Sequence, residues 1–319
     1  MTAISTVRGP VEPDTLGPVL VHEHVRVRDE AMAAQFPHLY DEAAELAAAV
    51  DAVSAAMARG VRTIADPAVM GLGRDVRFSE QVVAATGITL VMATGLYTYG
   101  HLPEHLVNRD VDYLADLFVH DITEGIQGTG VRAGFLKCAT DAPGINDNVE
   151  KVLRAVARAH RRTGVPIMTH SHPASGQGLA QMAILTDEGV DPAHVLIGHS
   201  GDTDSADYLL RLLDLGCFIG MDRYGLAPPF GIATEWRNWT VAELCARGFA
   251  DRMMLSHDAC ATIDWFPREV VGQLFPKWTT TYLFDEVIPD LRVRGVTDAQ
   301  IDQMLVANTR RWLEPVAPY

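Results

Sequence analysis

Residues 19–25 read Val-Leu-Val-His-Glu-His-Val, an apolar run that ends in two histidines separated by one residue. Side chains alternate between the two faces of a β-strand, so His22 and His24 are expected on the same face. Two imidazoles at this spacing can bind one metal ion. The pattern alone is also that of an ordinary strand end that contains histidines.

Seven more apolar runs follow along the chain, at residues 62–67, 88–94, 133–138, 165–171, 195–200, 217–223 and 253–258. Helical patterns lie between them, most clearly at 41–59, 111–126, 148–163, 178–188, 205–215 and 240–247. This alternation predicts parallel strands joined by crossover helices. A closed (β/α)8 barrel and an open doubly wound sheet both have that pattern.

Polar residues at the ends of the runs distinguish these two folds. Most runs end in a potential ligand, namely His22 and His24, Lys137, His170, His199, Asp222 and Asp258. A barrel collects its site from the ends of many strands, whereas an open sheet uses one switch point. The sequence therefore predicts an α/β fold, a single-domain (β/α)8 TIM barrel over residues 1–319, with a metal centre at its C-terminal face.

The amino-acid composition indicates which class of molecule the chain binds. The chain has 26 Lys and Arg against 41 Asp and Glu, a net charge of −15, which predicts a small-molecule substrate rather than nucleic acid or a membrane surface. Its four cysteines are far apart, as expected in a reducing compartment. We find no signal-peptide pattern and no apolar run of about 20 residues, so we expect a cytoplasmic location.

Each candidate ligand also has an ordinary structural explanation. His170 could be a core or capping residue, His199 could begin a helix, and Asp258 could be a helix N-cap. Chance placement of His or Asp at the ends of several separate strands is a poor explanation for the whole set of candidate ligands. Nitrogen and oxygen ligands without thiolates favour a divalent ion such as Zn²⁺, Co²⁺, Mn²⁺ or Fe²⁺. Lys137 closes an apolar strand, where an unpaired charge is costly, and carboxylation would convert it into an anion.

Five segments stand in the order of motifs from a known family: LVHEHV (20–25), GFLKC (134–138), THSH (169–172), IGHSGD (197–202) and LSHDA (255–259). They resemble the phosphotriesterase-like members of the amidohydrolase superfamily, and the resemblance runs from residue 6 to residue 312. It implies a binuclear metal centre. His22, His24 and Asp258 would bind a buried ion, and His170 and His199 a more exposed one.

The same resemblance implies that carboxylated Lys137 bridges the two ions, of which zinc is the first expectation. A hydroxide between the ions would be the nucleophile, the exposed ion would polarise the substrate oxygen, and Asp258 would act as general base. A homodimer is expected from the family alone.

Two positions place the chain on the lactonase side of this family. Tyr97 and Arg223 match the phosphotriesterase-like lactonases, in which both are expected to contact substrate and take part in catalysis. Tyr97 could equally be a packed rim residue. Arg223 stands where efficient phosphotriesterases often have histidine, and arginine is better suited to fixing a loop or binding Asp222 than to passing protons. Asp202 matches the acidic position of that relay, although it could also cap the next helix.

The segment after the last strand begins the expected substrate channel. Its apolar and small residues predict a wall for an acyl chain, and the candidates are Cys260, Ile263, Trp265 and Phe266. The resemblance thus implies a hydrolase that opens N-acyl-homoserine lactones and related γ- or δ-lactones, with a role in quorum quenching and weak phosphotriesterase activity. The alternatives are a true phosphotriesterase and a metal-containing barrel that binds a ligand without turnover.

Overall fold

Eight parallel strands form a nearly closed barrel in the computed structural model, which describes residues 3–319. The predicted (β/α)8 barrel is confirmed. The first run is divided into β1 (Val19–Leu20) and β2 (Glu23–His24). The later strands are β3 (Thr63–Asp66), β4 (Thr89–Gly95), β5 (Phe135–Ala139), β6 (Ile167–His170), β7 (Val195–Gly198), β8 (Phe218–Met221), β9 (Met253–Leu255) and β10 (Ala259–Cys260).

Helices connect the strands and surround the barrel. They are α1 (Glu30–Gln35), α2 (Glu42–Met57), α3 (Val76–Thr86), α4 (Glu104–Val107), α5 (Val111–Thr123), α6 (Asp147–Thr163), α7 (Gln177–Asp187), α8 (Ala206–Asp214), α9 (Thr234–Ala246), α10 (Arg268–Leu274), α11 (Ile288–Val293), α12 (Asp298–Asp302) and α13 (Asn308–Leu313). Among residues 3–319, no helix combines the length and the apolar character that crossing a membrane requires.

The period of two in the strands divides the core into an inner and an outer layer. Val19 and Val21 point into the barrel, where they pack with Phe135 and Trp312, whereas Leu20 packs outward against the helices. Trp312 is fully buried, and its indole N–H donates to the carbonyl of Ile167 at 3.3 Å. The inner layer fills the barrel, so a ligand has to bind at one of its ends.

Several helices are absent from the sequence prediction or begin at another residue, and α3 and α9 are two examples. Helix α3 is absent from the helices predicted above, although Asp75 caps it by accepting from the Phe78 N–H at 3.1 Å. Helix α9 begins at Thr234 instead of residue 240. Its buried positions include Arg237 and Asn238, while Trp236 is exposed. Because polar residues occupy the buried face of α9, its first half lacks the hydrophobic periodicity on which the helix prediction depended.

The first and last runs meet at a seam that closes the barrel. Strand β2 pairs in parallel with β10, with Glu23 opposite Ala259. Below that pair, the Asp258 N–H donates to the carbonyl of His22 at 2.9 Å. The seam therefore places the two histidines of the first run directly beside the aspartate of the last.

Glu23 fastens this seam. Its side chain is buried, and Oε1 accepts from Ser256 Oγ at 2.8 Å, from the His257 N–H at 2.9 Å and from His257 Nδ1 at 2.7 Å. The second oxygen, Oε2, accepts from the Ala259 N–H at 2.9 Å. The Glu23 carboxylate thus accepts hydrogen bonds from residues that precede Asp258 and from the residue that follows it.

We predict that Glu23→Gln destabilises the protein by about 3 kcal/mol, because an NH₂ group then faces buried N–H donors in place of a charged acceptor. The matched control is Glu243→Gln, which removes an exposed ion pair with Arg247 and is expected to change the stability by less than about 0.5 kcal/mol. The measurement is urea unfolding at pH 7 with and without chelator. Equal unfolding midpoints for the two variants would contradict the role given to Glu23.

Candidate active site

A cavity of about 390 Å³ opens at the carboxyl ends of the strands. All six predicted metal ligands line it: His22, His24, Lys137, His170, His199 and Asp258. They come from five separate regions of the chain, and the barrel brings them together because parallel strands all end at one face.

The first group of ligands, His22, His24 and Asp258, is arranged around one oxygen of Asp258. His22 Nε2 lies 3.1 Å and His24 Nε2 lies 3.3 Å from Asp258 Oδ1. The ammonium nitrogen of Lys137 lies 3.4 Å from His22 Nε2. Two imidazoles, a carboxylate and a lysine thus converge on one point, and the first three form a group that could hold a metal ion.

The second group is a pair of histidines. His170 Nδ1 and His199 Nε2 face each other at 2.9 Å, and His199 Nε2 lies 3.8 Å from the second oxygen of Asp258. Asp258 therefore stands between the two groups.

Two of these ligands have a strained backbone. His199 and Asp258 adopt positive φ angles of 61° and 54°, which non-glycine residues rarely do and which cost about 1 kcal/mol or more each. Both N–H groups are held in place, that of His199 by Asp222 Oδ1 at 2.7 Å and that of Asp258 by the His22 carbonyl. The turns aim both side chains into the cavity, His199 directly after β7 and Asp258 three residues after β9.

Asp222 lies behind the ligands and orients two of them. Its fully buried carboxylate contacts His22 Nδ1 at 2.9 Å and His199 Nδ1 at 3.1 Å. These are the ring nitrogens that face away from the cavity, so the bonds leave Nε2 of both rings free to bind an ion. The sequence interpretation in which Arg223 binds Asp222 is wrong, since Arg223 contacts Asp258 and Asp202 instead.

The other two histidines have carboxylate partners that the sequence analysis missed. Asp141 Oδ2 lies 2.9 Å from His170 Nε2, and Asp66 Oδ1 makes an ionic contact of 3.3 Å with His24 Nδ1. Asp66 ends β3, and Asp141 follows the end of β5 by two residues. Their places at strand ends are the signal that could have identified them.

The charge balance of the first group of ligands favours a cation. Burial opposes protonation of His24, yet hydrogen bonds to Asp258 and Asp66 raise its pKa to about 9. Burial lowers the pKa of Lys137 to about 8, against the attraction of Asp258 and Asp222. Because this buried site stabilises the protonated form of His24, it also favours a bound metal cation. Its imidazole and carboxylate donors are ligands that divalent metal ions accept.

The predicted catalytic residues occupy different depths. Arg223 lines the cavity and donates from Nε to Asp258 Oδ2 at 3.0 Å and from Nη1 to Asp202 Oδ2 at 3.1 Å. Tyr97 also lines the cavity, where its hydroxyl bonds that of Tyr99 and lies 3.4 Å from His170 Nδ1. Asp202 lies behind Arg223 and is not part of the cavity wall.

Apolar side chains form much of the cavity wall. All four predicted residues contribute, namely Cys260, Ile263, Trp265 and Phe266. Leu226, Phe230, Phe275 and Trp278 also line the cavity. The Trp278 indole N–H donates to the His257 carbonyl at 3.0 Å, so this wall is attached to the residue before Asp258.

Comparison with known proteins identifies the family. A model of the phosphotriesterase family matches residues 2–313. The chain belongs to the phosphotriesterase family. An aryldialkylphosphatase of Saccharolobus solfataricus is 50% identical over 304 residues, covering 95% of this chain and 96% of that protein. A phosphotriesterase homology protein of Mycobacterium tuberculosis is 44% identical over 329 residues and covers 100% of both chains.

A solved structure agrees with the family assignment. The structure of the phosphotriesterase from Mycobacterium tuberculosis superposes with a TM-score of 0.94 at 43% identity, covering 99% of this chain and 100% of that one. Members of the phosphotriesterase family are binuclear metal-dependent hydrolases. The protein is therefore a hydrolase, and its two groups of ligands fit that metal requirement.

We predict that Asp141→Asn weakens zinc binding about 10-fold or more at one of two sites, because His170 loses the carboxylate that orients its ring. Zinc competition titration of the metal-free protein measures this, with zinc content after dialysis as a second readout. His172→Gln is the matched control, since His172 lines the same cavity but bonds Ser175 instead of a ligand. Unchanged zinc affinity in Asp141→Asn would contradict the orienting role.

Proposed function

We propose that this phosphotriesterase-family hydrolase opens lactone rings, with N-acyl-homoserine lactones and related γ- and δ-lactones as its substrates. The proposal rests on the division of the cavity into a polar floor and an apolar wall. Its floor presents carboxylate, imidazole and guanidinium groups, and its wall presents Leu226, Phe230, Trp265, Phe275 and Trp278. A polar ring with an aliphatic tail satisfies both halves of such a site.

The chain's own residues fit the chemistry of ester cleavage. Two bound divalent ions would act as Lewis acids and lower the pKa of a bound water. Asp258 lies between the ligand groups and supplies a carboxylate that can accept a proton. Arg223 holds that carboxylate in position, and the phenol of Tyr97 stands at the cavity wall, where it can donate to a substrate oxygen.

Zinc and a carboxylated Lys137 complete the proposed centre. Imidazole and carboxylate donors suit zinc, with Co²⁺, Fe²⁺ or Mn²⁺ as alternatives. Carboxylation requires a neutral amine, and burial favours the neutral form of Lys137 by lowering its pKa to about 8. The resulting carbamate would replace a buried cation with an anion beside both groups of ligands.

We predict a carbamate on Lys137. Zinc-loaded protein prepared with ¹³C-bicarbonate is expected to show a carbamate carbon signal in its NMR spectrum, and the Lys137→Met variant is expected to lack that signal and to bind zinc more weakly. Absence of the signal from zinc-loaded wild-type protein would refute the carbamate.

The free cysteines support a cytoplasmic location. Cys138, Cys217 and Cys245 are buried, Cys260 is partly buried, and none is in a disulfide. Thiols kept reduced in this way are typical of the cytoplasm. A lactonase there would lower the concentration of lactone signals, which is the quorum-quenching role that we propose.

Phosphotriester hydrolysis is the second candidate. The name of the aryldialkylphosphatase, which is 50% identical, favours it. A guanidinium beside Asp258 does not exclude a phosphoryl substrate, because the same centre can polarise either kind of oxygen. The two candidates differ in which substrate class has the higher kcat/KM.

We predict that zinc- or cobalt-loaded protein hydrolyses the best of a C4–C12 acyl-homoserine lactone series with kcat/KM at least ~100-fold above that for paraoxon. Each buried CH₂ of the tail contributes about 0.8 kcal/mol, so kcat/KM rises with chain length until the wall is filled. Trp265→Ala is expected to flatten this rise and to leave the C4 lactone unaffected. A higher kcat/KM for paraoxon would make phosphotriesterase the better description.

Metal removal distinguishes an enzyme from a barrel that binds ligand without turnover. Chelation is expected to abolish lactone hydrolysis, and added zinc or cobalt is expected to restore it. Circular dichroism on the same samples reports whether the fold survives. Unfolding on chelation, with no hydrolysis at any stage, would support the non-catalytic alternative.

A further inference from the structure

Arg237 is a fully buried arginine outside the cavity wall. It lies on α9, and its Nη2 donates to Asp202 Oδ1 at 2.5 Å while Nε donates to the Gly201 carbonyl at 3.2 Å. Its guanidinium carbon lies 5.2 Å from the centre of the Tyr224 ring. Burial of a guanidinium costs several kcal/mol unless a carboxylate and further hydrogen bonds compensate for the lost hydration. The burial of Arg237 therefore calls for a structural or functional explanation.

Two glycines shape the space around this ion pair. A Cβ at Gly201 would lie 3.2 Å from Arg237 Nε, and a Cβ at Gly231 would lie 3.2 Å from Asp202 Oδ1 and 3.4 Å from Arg237 Nη2. Both approaches are tighter than ordinary side chains make. The loop between β8 and α9, which carries Gly231, therefore packs directly on the pair.

The pair continues into the active site. Asp202 Oδ2 accepts from Arg223 Nη1 at 3.1 Å, and Arg223 Nε donates to Asp258 Oδ2 at 3.0 Å. Four charges thus alternate in sign from Arg237 through Asp202 and Arg223 to Asp258. The guanidinium of Arg223 is always charged, so it attracts both carboxylates.

We propose that Arg237 is a positioning residue of the active site: it fixes Asp202, which holds Arg223, which in turn sets the position of Asp258. The inference rests on the proposed hydrolytic function of this cavity. Guanidinium donors contact both oxygens of Asp202, so this carboxylate can hold Arg223 and Arg237 at the same time.

A double-mutant cycle tests this coupling. The variants are Arg237→Gln, Asp202→Asn and the double variant, each measured for kcat, KM and the zinc dissociation constant. We expect each single change to lower kcat about 10-fold with KM within about 2-fold, and the double variant to lose about 10-fold instead of the ~100-fold of independent sites. We expect a parallel rise in the zinc dissociation constant, because Asp258 is one of the proposed ligands.

Asn238→Ala is the matched control. Asn238 is the next residue of α9, is buried equally well, and donates to Asp290 Oδ2 at 2.7 Å, away from the cavity. Its loss is expected to lower stability, to leave kcat unchanged, and to combine additively with Asp202→Asn. Arg237→Lys keeps the charge but not the forked donors, and it is expected to recover part of the kcat lost in Arg237→Gln.

The zinc measurement needs no substrate, so it separates the two ways in which the inference could fail. Wild-type protein that hydrolyses neither lactones nor phosphotriesters would refute the proposed function, and the zinc dissociation constants would still report the coupling. Additive losses in the double variant, or zinc dissociation constants in the single variants equal to that of wild type, would overturn the positioning role of Arg237.

Discussion

The seam that closes the barrel is the constraint on which the active site depends. Glu23 and the Asp258 segment are more than 200 residues apart in the chain, and four hydrogen bonds to one buried carboxylate join them. The same contact positions His22 and His24, which flank Glu23, against Asp258. The group formed by His22, His24 and Asp258 therefore assembles only when the barrel closes, since these residues lie on the first and last runs.

Carboxylates behind the imidazoles then fix the direction of each ring. Asp222 contacts both His22 and His199, Asp66 contacts His24, and Asp141 contacts His170. A hydrogen bond at one ring nitrogen leaves the other available to an ion, so the ligands are oriented before a metal arrives. The left-handed turns at His199 and Asp258 show where the fold accepts strain to aim these side chains inward.

Much of this could be read from the sequence because the relevant signals are local. Each strand is a short apolar run, and a ligand at its end is a neighbour in the chain, so the eight runs and the six ligands were visible together. Arg237 and Asp141 were not, because their partners lie on other elements and only tertiary packing brings them together. Helix α9 buries Arg237 and Asn238, which is the reverse of what hydrophobic periodicity assumes. The extent of the single domain and the dimer remain predictions.

The most direct test of the account is anomalous diffraction at the zinc edge from crystals of the zinc-loaded protein. We expect two peaks in the cavity, one ligated by His22, His24 and Asp258 and the other by His170 and His199, with density for a carboxylated Lys137 touching both. A single peak, or peaks bound by Asp222 and the outward-facing ring nitrogens, would contradict the arrangement of ligands on which the proposed hydrolysis rests.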